Sequence, residues 1–191
     1  MKVALLSLAF LSIGLGTLDA GVRAHLEAKA DKIGTIIVDG KAGNGPYLYF
    51  TYSVTNPTDK ELSLFLDLTV ETDTPTTYRN AVDPAVERAV EQKMKKDFMN
   101  IAEMRSAKIG PGETKECIAI FGKVDPAADV LNVVIRGLVD RVAFENGKRV
   151  IEDKALVFKY LRPGDEYHPV RAIHAAGKEW RVISREEKAY S

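Results

Sequence analysis

Sulfur, imidazole and net charge are all scarce in this chain. A single cysteine, Cys117, among 191 residues excludes an internal disulfide framework, so the fold must rest on a hydrophobic core, which this length can supply. Cys117 sits in an apolar alternating stretch and reads as a small buried hydrophobe. Three histidines, His25, His168 and His174, leave few bases for catalysis. Lys and Arg number 27, as do Asp and Glu, so there is no basic surplus to hold nucleic acid or an anionic membrane. No Gly-x-Ser-x-Gly elbow and no Ser-His-Asp order is present. Carboxylate pairs such as Glu186-Glu187 read as solvated surface. Gly40, Gly43 and Gly45 precede a strand and lack a Gly-Lys-Ser/Thr ending, so they are not a phosphate-binding loop. The expectation is no enzyme and no cofactor.

What is present begins with the first 24 residues. Lys2 precedes an apolar run from residue 3 to 15, and residues 16–24 are rich in small side chains. That is the layout of a secretory signal peptide, and the run is too short to span a membrane comfortably. Leu18-x-Ala20 and Val22-x-Ala24 both suit cleavage, which leaves Gly21 or His25 first. No cysteine lies there to carry a lipid, and no later run is long and apolar enough to anchor the chain. Export to the periplasm or beyond is expected, with no membrane anchor after cleavage.

The strongest pattern lies in residues 47–71. Leu48, Phe50, Tyr52 and Val54 fall on one face, with Tyr49, Thr51, Ser53 and Thr55 on the other. Leu62, Leu64, Leu66, Leu68 and Val70 then share a face. A period of two is the mark of a half-buried strand, and Asn56-Pro57-Thr58-Asp59 supplies a turn. The two runs are expected to pair as an antiparallel hairpin, with Tyr47, Tyr49 and Phe65 on its outward side.

Further strands are expected at 33–38, 114–121, 130–144 and 149–161, the last two joined by Asn146-Gly147, a type I′ hairpin signal. Asp83-Pro84 opens a helix, and Val86, Val90, Met94, Phe98, Ile101 and Ala102 give it one apolar stripe to about residue 104. Met94, Met99 and Met104 do not share a face, so they read as core. Glu91 and Lys95 form a favourable i,i+4 pair. The polar tail after Arg162-Pro163-Gly164 carries the run Trp180-Arg181-Val182-Ile183, suited to an edge strand or a clasp. About seven short strands separated by turns predict an immunoglobulin-like antiparallel β-sandwich over residues 33–161, with one inserted helix at 84–104 and a C-terminal extension from 162.

The order of Val54-Thr55-Asn56-Pro57-Thr58-Asp59-Lys60, the leucine-rich strand, Tyr78, Ile109-Gly110-Pro111-Gly112-Glu113-Thr114-Lys115, Ile118-Ala119-Ile120-Phe121 and Val133-Val134-Ile135 resembles a known group. These are the small exported immunoglobulin-like β-sandwich proteins of bacteria, which include a secreted mycobacterial antigen. The resemblance covers about residues 33–140; the helical insert and everything after residue 140 depart from it. It implies an extracytoplasmic binding or accessory domain, and it carries over no catalytic residues.

Three functions follow in order of preference. The first is binding of another extracytoplasmic protein, for instance in assembly of a complex, through sheet edges or the helix. The second is a metal site. An amino-terminal His25 chelates copper through its amine and imidazole when joined by His168 or His174, and Asp165 and Glu166 beside those histidines supply carboxylates. The third is a carbohydrate- or surface-binding module with Tyr47, Tyr49 and Phe65 as its aromatic platform. Burial of that trio under the helix or a second sheet is the preferred alternative, because apolar patches are usually covered.

Overall fold

The structure, a computed structural model, describes residues 22–145, 148–168 and 170–189. It is mainly β, 57% strand against 10% helix, with antiparallel sheets arranged like a sandwich. In chain order the strands are β1 (Val22–His25), β2 (Glu27–Gly40), β3 (Gly43–Thr55), β4 (Leu62–Ser63), β5 (Asp67–Thr72) and β6 (Thr77–Arg79). Helices α1 (Pro84–Met94) and α2 (Ile101–Met104) follow, then β7 (Lys108–Ile109), β8 (Thr114–Ile120), β9 (Val130–Glu145), β10 (Lys148–Leu161) and β11 (His174–Ala189).

One sheet runs β11-β10-β9-β5-β6, with β1 also on β9; the facing sheet runs β2-β3-β8, and β4 and β7 pair as a short third sheet. Leu48, Phe50, Tyr52 and Val54 from β3 meet Leu68 and Val70 of β5, Leu131, Val133 and Ile135 of β9, and Leu156 and Phe158 of β10 in one buried core. Phe50 anchors it, stacked on Tyr52 with ring centroids 5.4 Å apart and tilted against Phe158 at 5.8 Å.

The expected hairpin of residues 47–71 does not form. β3 pairs with β2 and β8, whereas β5 pairs with β6 and β9. The two alternating runs lie in different sheets and press their apolar faces together across the core. Their alternation is as read, down to buried Leu64, Leu66, Leu68 and Val70, but a buried face packs equally well against a facing sheet. The Asn56 turn is therefore an arch between sheets. Its Oδ1 accepts from the Thr58 amide at 3.0 Å, and its Nδ2 donates to the carbonyls of Lys60 and Ile109 at 2.7 and 2.9 Å.

The helix expected over 84–104 is two. Asp83 caps α1 by accepting from the Ala85 and Val86 amides. At Lys95 the backbone turns left-handed (φ 53°), and its amide returns to the Glu91 carbonyl. Glu91 then accepts from the Phe98 amide at 3.2 Å in place of the expected ion pair with Lys95. The chain needs to leave the helix because residue 99 pairs with β8: Met99 donates to the Glu116 carbonyl at 2.8 Å and accepts from the Ile118 amide at 3.1 Å. The stripe resumes in α2, which opens on a capping box between Asn100 and Glu103.

Two other boundaries move. The strand expected at 33–38 begins at Glu27, and the tail from 174 becomes a full edge strand against β10. Eleven strand segments among the described residues stand against the seven expected. Residues 1–21 of the expected signal peptide and the Asn146-Gly147 turn lie outside the described residues; Glu145 and Lys148, which flank that turn, do pair.

Candidate functional site

The aromatic trio is dispersed. Tyr47 and Tyr49 are buried beneath α1, in a cluster with Val86, Val90, Phe98, Ile118 and Ile120. The Tyr47 hydroxyl accepts from the Ala42 amide at 2.9 Å and donates to the Gly43 carbonyl at 3.0 Å. Phe65, between β4 and β5, is 70% exposed. No shared stacking platform exists, because α1 covers the outer face of β3.

The metal candidates do not converge either. The backbone of His25 pairs with Val139 in β1, and its side chain lies outside the described residues. Asp165 accepts from the Tyr167 amide at 3.0 Å, and His168 Nδ1 lies 2.7 Å from the Val170 carbonyl. His174 opens β11 opposite Leu161. Glu166 and His168 line one cleft. Among the described residues, no three His, Cys, Asp or Glu side chains gather to hold a metal ion. Burial pushes the Cys117 thiol up to about 12, so it is protonated and inert at neutral pH.

Sheet edges offer more. The free edge of β8 is bridged by Ala81 and Met99, and β6 has three residues. β2 and β11, of 14 and 16 residues, are long edges with no further strand beside them among the described residues. A long edge presents unpaired amides and carbonyls to any extended chain. Both carry a bulge, at Asp31 in β2 and at Ile183 in β11, and β11 is dense in charge. These features discourage indiscriminate pairing.

β11 carries a second feature. Trp180 stands directly opposite Leu156, whose side chain is in the core, so Trp180 projects from the core-facing side of its sheet. The facing sheet is only three strands wide and ends at β2, so no strand among the described residues closes over it. Trp180 is 50% exposed and Val182 52%. Between this overhang and the start of β2 lies a groove of about 380 Å3, lined by Leu26, Ala28, Leu156 and Trp180 with Glu27, Lys178 and Glu179 at its margins.

No protein-family model, curated protein or solved structure matches the chain.

A second cleft, of about 240 Å3, lies where the segment after β10 folds back over the β8–β9 connection. Arg162 donates from Nε and Nη2 to the Ala128 carbonyl at 3.0 and 2.7 Å, and from Nη2 to the Asp125 carbonyl. Arg171 pairs with Asp129 at 2.8 Å and donates to the Gly164, Pro126 and Ala128 carbonyls. Sequence reading passed over both arginines and the overhang. A signal for Arg162 existed: it continues the inward phase of Phe158 and Tyr160, a cation on the apolar face of a strand. Trp180 carried none, since its exposure depends on the width of the opposite sheet.

Proposed function

We propose that this protein is an exported, soluble, immunoglobulin-like β-sandwich that binds another extracytoplasmic protein, as an accessory or assembly factor. In this reading the partner contributes an extended segment that adds to the free edge of β11 and places an apolar side chain in the groove beside Trp180. The observation that carries it is the half-exposed Trp180 on the core-facing side of a 16-residue edge strand. Strand addition supplies affinity through main-chain hydrogen bonds and selectivity through alternate side-chain pockets. Export rests on the charge, apolar and small-residue layout of the first 24 residues, and among the described residues no helix is long and apolar enough to cross a membrane.

The test places a photo-crosslinking residue at 178 or 180 in the full chain, expressed in an exporting host, with position 65 as the control. The expected result is one adduct of defined mass from the β11 positions, absent at 65 and lost when Val182→Lys is added. It should come with hydrogen-exchange protection of alternate β11 amides in the purified complex. Adducts equal at 65 and 180, or indifferent to Val182→Lys, would rule out the edge. The intact mass of the exported protein reads out cleavage: a mass that retains residues 1–20 would remove the export reading.

A further inference from the structure

We infer that the cleft between the Arg162–Arg171 segment and the β8–β9 connection is a binding site for a monocarboxylate bearing a small apolar group. It shares no lining residue with the groove beside Trp180, so it stands apart from the strand-addition reading.

Arg162 carries the argument. Its residue is 6% exposed, yet no ion pair among the described residues includes it. Its hydrogen bonds go to main-chain carbonyls, the Asp129 and Asp125 charges reach it only at a distance, and its Nη1 has no acceptor among the described residues. Buried cations are ordinarily paired, because dipoles compensate a full charge incompletely. Desolvation and then the charge of Arg171 hold the Arg162 guanidinium below its usual value, in spite of the opposing charges of Asp129 and Asp125.

The surroundings define the missing partner. Lys123 stands at the rim, donating to the Asn44 carbonyl at 2.9 Å with its Nζ 5.9 Å from the centre of the Tyr47 ring. Among the lining residues three cations meet one carboxylate, Glu166. Behind them, Asp129 is taken by Arg171 and the Asp125 carboxylate accepts from the Ala127 amide at 2.9 Å. With those two carboxylates the three cations are balanced, so the cleft has no charge to spare for a dianionic phosphate, and its one unfilled guanidinium donor, Arg162 Nη1, suits a single carboxylate. A guanidinium offers the planar donors that a carboxylate accepts. Pro46, Leu48, Val124 and Pro126 form the rest of the wall, an apolar surface for the remainder of the ligand. That chemistry is shared by a free short-chain acid and by the C-terminal residue of a peptide.

The experiment titrates the full chain by NMR with N-acetyl-leucine, N-acetyl-leucinamide, isobutyrate and inorganic phosphate. The amide has the shape of the acid without its charge, and should bind at least about tenfold more weakly. Saturable shifts are expected at Leu48 and Val124. Arg162→Met should abolish them; since Arg162 also ties down the Asp125–Ala128 turn, Lys123→Met on the exposed rim is the second variant. It should weaken the acid about threefold with an unchanged thermal midpoint. Isobutyrate binding as well as N-acetyl-leucine identifies a free acid as the source, and preference for N-acetyl-leucine identifies a peptide terminus. Equal binding of acid and amide, tighter binding of phosphate, or indifference to Lys123→Met overturns the proposal.

Discussion

Gly137 shows how one residue can set the geometry of the sandwich. It sits in β9 at φ 84°, and a Cβ there would lie 2.1 Å from the Phe65 carbonyl oxygen. The segment carrying Phe65 can therefore rest on β9 only if residue 137 lacks a side chain. Gly122 has a similar φ of 72° but nothing within 4 Å of its would-be Cβ. Gly122→Ala should cost about 1–2 kcal/mol, the strain of a left-handed backbone alone. Gly137→Ala should cost more, about 3 kcal/mol or above, because backbone has to move as well. Urea unfolding of the two variants separates these terms, and equal losses would refute the close-packing account. Asn56 is comparable in importance, since one side chain joins its own turn to Lys60 and Ile109.

At the scale of elements, α1 matters because it converts the outer face of β3 into a second core. Asp83 starts it and also ties it to the β2–β3 turn, accepting from the Lys41 amide at 2.7 Å. Asp83→Ala removes both the helix cap and that bond, and should lower stability by about 2 kcal/mol. Asp83→Asn keeps an acceptor and should retain at least half of it. Thermal unfolding of the two checks this, and identical midpoints would mean that the side chain is not what holds α1. The sequence announced this helix through Asp83-Pro84 and its stripe, but not its end. Leaving the helix at Lys95 frees Met99 for β8, and no local pattern in residues 95–99 carries that competition.

Across the whole molecule, the core holds protons that the unfolded chain would release in mild alkali. Burial raises Cys117 from 9.0 to about 12 and Tyr160 from 10.0 to about 12, and raises Tyr52 well above 10.0. The folded state thus binds these protons more tightly than the unfolded one. Their contribution is complete below about pH 9 and is lost as pH rises toward about 12, with a slope near 1.4 kcal/mol per pH unit for each group titrating. Urea midpoints should stay flat to about pH 9 and then fall, and Cys117→Ala should flatten the first part of that fall. A midpoint unchanged up to about pH 11 would contradict the burial of these groups.

The chain by itself determined which side of β3 and β5 is apolar, where β8, β9, β10 and the first helix begin, that Cys117 is buried, and that Asn56 makes a turn. These are properties of neighbours along the backbone, set by the two-residue period of strands and by caps. Only the tertiary structure decided which strands pair. Alternation marks a face to be covered without naming what covers it, so residues 47–71 read as a hairpin although β3 and β5 lie in opposite sheets. Tyr47 and Tyr49 read as buried under the helix or a second sheet, and only the fold decided that α1 is what covers them. The cleft of Lys123, Arg162 and Arg171 and the uncovered Trp180 arise from segments far apart in the chain. Their chemistry depends on distance in space and on the unequal widths of two sheets, and a linear pattern records neither.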